Sequence, residues 1–165
     1  MIEIQKRGDE SIPLIRELTF QVWPQTYASI LTTEQIDYML NMIYSVESLK
    51  QQISKSGHQF IFAYENQEPI AFASYSPLPD EPAVVKVHKL YCLPKTQGKG
   101  IGKKLLEYIV ADVKKSGVTQ LEVNVNRYNP AKSFYEKLEF EVVREDDIDI
   151  GNGYFMNDYV LRKRI

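Results

Sequence analysis

The feature that most restricts how this chain can fold is a repeated change in the spacing of its apolar residues. Over residues 58–92 they recur at about every second position, in QFIFAYE, PIAFASYS and AVVKVHKLYC, segments rich in β-branched and aromatic side chains. That is strand patterning. Residues 100–116 then place Ile101, Leu105, Leu106, Ile109, Val110 and Val113 on one helical face with lysines opposite. TQLEVNVN returns to alternation, turning Leu121, Val123 and Val125 toward a core and Glu122, Asn124 and Asn126 away from it. Three strands in succession predict an antiparallel meander, with turns at residues 65–68 and over residues 77–82, where prolines cannot continue a ladder. A strand, helix, strand unit predicts a parallel, right-handed crossover.

The flanking segments extend this to an α/β fold with a mixed sheet and helices on both faces. Ile2 and Ile4 suggest an opening strand. Asp9 is placed to cap a helix carrying Ile12, Leu14, Ile15, Leu18 and Val22, and Pro24 is expected to break it. Thr32 with Gln35 three residues on matches a capping box ahead of Ile36, Met39, Leu40 and Ile43, and a further short helix should end near Gly57. Gly117 is a natural stop for the long helix. Asn129 before Pro130 reads as cap and first residue of a short helix through Leu138. Two last strands, around FEVVR and YFMNDYVLRK, close the sheet.

With 165 residues, the chain is sized for a single domain spanning 1–165. A formal charge of −2 argues against nucleic acid, which calls for a basic stripe. No apolar run approaches the roughly 20 residues that span a bilayer, so no membrane is expected. Cys92 is the one cysteine and has no internal disulfide partner, and the opening MIEIQKRGDE has no apolar run suited to export. A cytoplasmic location follows as an expectation. Small-molecule and protein partners, a homodimer included, stay open, and no metal is expected.

Between the strand ending at Cys92 and the long helix lies LPKTQGKGIGKK, with Gly98, Gly100 and Gly102 at alternate positions among Lys99, Lys103 and Lys104. Such a loop can hold phosphate: glycines let main-chain N–H groups turn toward an anion, and the helix start adds partial positive charge. A glycine-rich turn with solvated lysines is the alternative. A nucleotide-hydrolase loop would need glycine at Gln97 and a hydroxyl residue at Lys104, and the dinucleotide pattern fails at Lys103.

The stretch does resemble the acyl-CoA-binding segment of the GNAT N-acetyltransferase superfamily, Q/R-x-x-G-x-G/A, through Gln97, Gly100 and Gly102. NPAKSFYEKLEF at 129–140 is similar to the family's later segment, which usually ends FYEKLGF; glutamate stands at 139 where glycine is usual. The likeness covers most of residues 60–163, and among its members the small polyamine-acetyltransferase-like group is nearest. It implies a mostly antiparallel sheet with a parallel pair splayed at the CoA site. It also implies acetyl-CoA as co-substrate, held by amides of residues 97–103, Ile101 included, and by main-chain pairing along Leu90, Tyr91 and Cys92.

On the same likeness Tyr135 is the general acid. The family's CoA-contacting Asn falls at Tyr128, so Asn129 reads as either a CoA contact or a helix cap. Many relatives carry glutamate where Lys86 stands; His88, two residues on along the same face, is the candidate base, with its reference pKa near about 6.5. Asn124 or Glu122 is placed to hold a proton-carrying water. Lys86 reads as a substrate-side or surface charge. Trp23, Tyr27 and Tyr38 read as lining for the acceptor groove or as core aromatics. Glu145, Asp146, Asp147 and Asp149 read as a solvated loop or a lure for a cationic amine. Cys92 is not expected to be a nucleophile. The function expected is acetyl transfer to a primary amine of a small molecule; a non-catalytic acyl-CoA sensor and a protein lysine or N-terminal acetyltransferase are the alternatives.

Overall fold

The computed structural model describes all 165 residues. Seven strands, β1 (Ile2–Arg7), β2 (Gln59–Glu65), β3 (Glu68–Leu78), β4 (Glu81–Cys92), β5 (Gln120–Asn126), β6 (Glu141–Gly151) and β7 (Tyr154–Arg164), form one sheet in that order, except that β7 lies between β5 and β6. Every neighbouring pair is antiparallel but β4 and β5, whose parallel contact joins residues 84–87 to residues 120–123. The predicted mixed α/β sheet, meander and parallel pair are all present.

That parallel contact is short for a physical reason. Opposite β3, Ser74 faces Lys89 and Tyr75 faces Val87, so His88 is an extra residue in β4. A bulge of this kind bends the strand and increases its twist. Beyond Val87 and Val123 the two strands part, although β4 runs on to Cys92 and β5 to Asn126. Main-chain groups along the end of β4 are therefore left without a partner strand on the β5 side.

Helices α1 (Ile12–Tyr27), α2 (Thr33–Tyr44) and α3 (Val46–Ser54) cover one face, burying Ile15, Leu18, Met39 and Leu49 against Phe60, Phe62 and Phe72. Helices α4 (Ile101–Lys114) and α5 (Ala131–Lys137) cover the other, where Leu105 and Ile109 meet Ile61, Ala73, Val85 and Val123. Each fully buried aliphatic or aromatic side chain contributes about 1.5–3 kcal/mol. No helix is long and apolar enough to cross a membrane.

Several local expectations are corrected. Pro24 does not end α1: it sits on the exposed side of the helix, which continues to Tyr27 with the Ala28 N–H donating to the Pro24 carbonyl at 3.1 Å. Asp9 is not a cap; it opens a single 3-10 turn without side-chain capping. Thr32 does cap α2, its hydroxyl accepting from the Gln35 N–H at 3.1 Å, but the Gln35 amide reaches the Phe155 carbonyl instead of closing the box. Strands β3 and β4 run through Pro77 and Pro82, leaving only Pro79 and Asp80 as the turn. The acidic run lies within β6, because Asn152 and Gly153, at φ 55° and 78°, make a tight hairpin that lengthens the ladder.

Glu139, standing where glycine is usual in the likeness above, adopts φ +70°. A left-handed conformation costs a non-glycine residue about 1–2 kcal/mol, partly offset in glycine by its greater unfolded-chain freedom. Glu139→Gly is expected to stabilise the protein by about 0.5–1 kcal/mol, read as a raised Tm.

Candidate active site

The loop after β4 is built to receive an anion. None of the six N–H groups of residues 98–103 has an acceptor in the protein, and the start of α4 carries no side-chain cap. Gly98 and Gly100 have φ of +83° and +75°, a region L side chains avoid, so glycine is what lets these amides converge. Gly102 serves differently: a Cβ there would stand 3.0 Å from the Phe134 ring, so its absence lets α5 pack against the mouth of α4. The side chains of Lys99, Lys103 and Lys104 are exposed around the loop. Convergent free amides at a helix N-terminus favour phosphate.

Next to this loop, α5 places Tyr135, only 8% exposed, edge-on to Phe134 and Phe140 with ring centroids at 5.0 and 5.4 Å. Burial, with smaller contributions from Tyr27 and Cys92, pushes its phenol above the ordinary range, so it holds its proton firmly. Burial likewise pushes the Cys92 thiol up to about 11, which keeps it a weak nucleophile. Asn129 caps α5, its side-chain oxygen accepting from the Ala131 N–H at 2.9 Å, while Tyr128 is exposed.

On the opposite face of β4 lies a cavity of about 310 Å³ between α1–α3 and the outer strands. Because α1 runs through Pro24, Trp23 and Tyr27 share one helical face, with ring centroids 4.5 Å apart. The hydroxyls of Tyr27 and Tyr91 are hydrogen-bonded at 3.1 Å. Lys86, His88 and Asn124 line the same space, so the structure brings together Trp23, Tyr27, Lys86, His88, Tyr91 and Asn124. Tyr38 does not join them; its hydroxyl donates to the Ile150 carbonyl at 2.6 Å. Glu122, 2% exposed, is taken up by Arg162 at 2.9 Å and so is not free to hold a water.

The base role expected of His88 meets a physical obstacle. Its Nε2 is hydrogen-bonded to the Ser76 hydroxyl at 2.7 Å, and its ring stacks on His58 at 3.9 Å and 8°. Burial first, then His58 and the neighbouring lysines, lower His88 to about 2; burial, Lys89 and Lys86 lower His58 to about 4. Neither imidazole takes up a proton readily. Unfolded histidines titrate near about 6.5, so the unfolded state binds more protons below that pH. The stability held above about pH 6.5 is therefore expected to be lost as the pH falls toward 4, more through the deeply buried His88 than through the half-buried His58. Melting curves over that range check this, and His58→Leu should flatten the slope.

Two cavity residues escaped the sequence. Asp158 on β7 is 4% exposed, accepts from the Asn124 amide at 3.3 Å, and is raised above the usual carboxylate range by burial. Its signal was an acid at an inward position of an alternating strand. Lys89, 6% exposed, donates to Gln52 at 2.6 Å and lies 5.4 Å over the Tyr44 ring. Burial and Lys86 lower it to about 7.

A bulged strand parting from its parallel neighbour, a turn of free main-chain amides on a helix start and a half-open cavity across the strand define an acyl-CoA-dependent acyltransferase. The chain belongs to the acetyltransferase (GNAT) family, whose model matches residues 15–140, and is an acyl-CoA-dependent N-acetyltransferase. It is 30% identical over 153 residues to a spermidine N(1)-acetyltransferase of Thermoplasma acidophilum, covering 90% of this chain and 93% of that protein. A [ribosomal protein bS18]-alanine N-acetyltransferase of Haemophilus influenzae is 33% identical over 91 residues, 55% of this chain and 57% of that one. The crystal structure of the PaiA N-acetyltransferase of Thermoplasma acidophilum in complex with coenzyme A is 28% identical, with a TM-score of 0.83 over 100% of this chain and 99% of that one.

Proposed function

We propose that this enzyme transfers the acetyl group of acetyl-CoA to a primary amine of a small molecule, directly and within a ternary complex. The observation that carries the reading is the set of six unpartnered main-chain N–H groups at residues 98–103, beside a stretch of β4 with no partner strand. Those amides, with Gln97 and the lysines around them, fit the pyrophosphate; the main chain of Leu90, Tyr91 and Cys92 fits the pantetheine arm. The co-substrate supplies an activated acetyl thioester. The solved relative in complex with coenzyme A supports acetyl-CoA as the co-substrate.

The remaining chemistry is proton management by this chain. An alkylammonium has a pKa near about 10.4 and must lose a proton before it can attack. Asp158, held by Asn124 within the cavity, attracts the ammonium and takes that proton. Tyr135 keeps a proton at its hydroxyl and delivers it to the departing sulfur. His88 and Trp23 shape the cavity around the acceptor, and Tyr27 joins the Tyr91 hydroxyl between the two halves of the site. No acyl-protein stage is needed, since the only cysteine is kept protonated.

The name of the Thermoplasma relative supports an amine acceptor and puts polyamines on the assay panel. Acetyl-CoA is expected to raise the Tm, and CoA thiol is expected to appear when amines, amino acids, aminoglycosides or peptides are added. Stabilisation without thiol release across that panel would mark a CoA-binding module, and the absence of both would end the reading.

A further inference from the structure

We infer that the acceptor is a zwitterion: a primary amine that also carries a carboxylate or phosphate, bound with its anionic group against Lys86 and Lys89. This rests on the transferase reading above and names the substrate class of the same site. Among the residues lining the cavity the only carboxylate is Asp158, whereas Lys86 and Lys89 both line it. Neither lysine is in an ion pair with any acid of the protein.

The bulge at His88 is what concentrates this charge. Strict alternation would send Lys89 to the α4 face; with one extra residue in β4, Lys86, His88, Lys89 and Tyr91 all border the cavity, while Leu90 and Cys92 pack on the α4 side and Val87 touches both. Lys89 is held by the Gln52 side-chain oxygen and by the faces of Tyr44 and Phe60, at 5.4 and 5.7 Å, with no anion to balance it. An ammonium without a counter-charge in so buried a place is costly, which is why Lys89 is lowered to about 7; a ligand anion beside it offsets that cost and holds it charged.

Unused hydrogen-bonding atoms repeat the same polarity. The Trp23 indole N–H is buried without an acceptor, a donor for an oxyanion; the Asn124 side-chain oxygen, on the residue that holds Asp158, is buried without a donor. Donors for an oxyanion and acceptors for an ammonium thus line one cavity, in which Lys86 also acts on the Asp158 carboxyl and the His58 Nδ1 is without a partner. A neutral amine would satisfy Asp158 alone, and a diamine would set a second cation beside the two lysines. About 310 Å³ suits a molecule of amino-acid size.

The test compares kcat/KM, from CoA thiol release with acetyl-CoA, for butylamine, 4-aminobutanoate and 1,4-diaminobutane, and for ethanolamine against O-phosphoethanolamine. The expected result is at least a ten-fold preference for the anionic member of one series, with 1,4-diaminobutane poorest in its own; which series shows it assigns carboxylate or phosphate. Lys86→Met should bring that ratio close to one, and Lys86→Arg should keep it. The wild-type ratios decide even where a variant folds poorly. Acetylation of 1,4-diaminobutane as fast as, or faster than, both anionic amines would overturn the inference and leave the transferase standing. Thiol release from no amine, despite stabilisation by acetyl-CoA, would remove the transferase reading and this one with it.

Discussion

Replacing Tyr135 with Phe is expected to lower kcat by about 100-fold or more, while the affinity for acetyl-CoA changes less than three-fold. General acid catalysis contributes typically 10²–10⁴-fold, and this substitution removes one oxygen. The ring keeps its edge-on packing with Phe134 and Phe140, so α5 and the stability it provides should be nearly untouched. Because burial holds the phenol protonated well above neutral pH, the wild-type rate should show no alkaline fall attributable to Tyr135 below about pH 10. Steady-state kinetics with a binding isotherm for CoA separate the two effects. A Phe variant with unchanged kcat would reduce Tyr135 to a packing residue.

Gly100→Val is expected to weaken CoA binding by about 10–100-fold. Nothing lies within 4 Å of a Cβ built at Gly100, so the substitution meets no clash and leaves the core alone. What it opposes is the backbone: φ of +75° at the first residue before α4 is strongly disfavoured for a β-branched side chain. Relaxation turns the neighbouring amides out of convergence, and each hydrogen bond to a charged phosphate is worth about 1.5–3 kcal/mol. Stability should fall by only about 1–2 kcal/mol. Isothermal titration of CoA, with Lys99→Ala as a control for charge alone, checks the expectation. Equal losses in the two variants would point to lysine charge rather than to main-chain geometry.

Much of this site could be read in one dimension because its determinants are local. Unlike Gly102, which answers to Phe134 on α5, Gly98 and Gly100 act through backbone freedom, which depends on near neighbours in the chain. Asn129 before Pro130 caps the helix that carries Tyr135 for the same kind of reason. The alternation over residues 120–126 placed Asn124 on the cavity side, since a strand's two faces follow directly from its period. Local rules failed where a distant partner could override them. Pro24 costs one hydrogen bond on an exposed helix face, and burial of Ile15, Leu18 and Val22 below outweighs it. The acidic residues of β6 look like a loop in isolation, but pairing with β7 supplies their ladder.

The succession of strands and helices along the chain, the glycine-rich turn after β4 and the helix that carries Tyr135 were determined by sequence alone, through period, glycine placement and capping. Tertiary structure decided which charges meet. His88 becomes an extra residue only against β3, and that one-residue change of phase brings Lys89 to Lys86 and opens β4 from β5. Asp158 reaches Asn124 only because β7 inserts between β5 and β6. Register and strand order are properties of pairs of segments far apart in the chain, so no single stretch of residues encodes the polarity of this cavity.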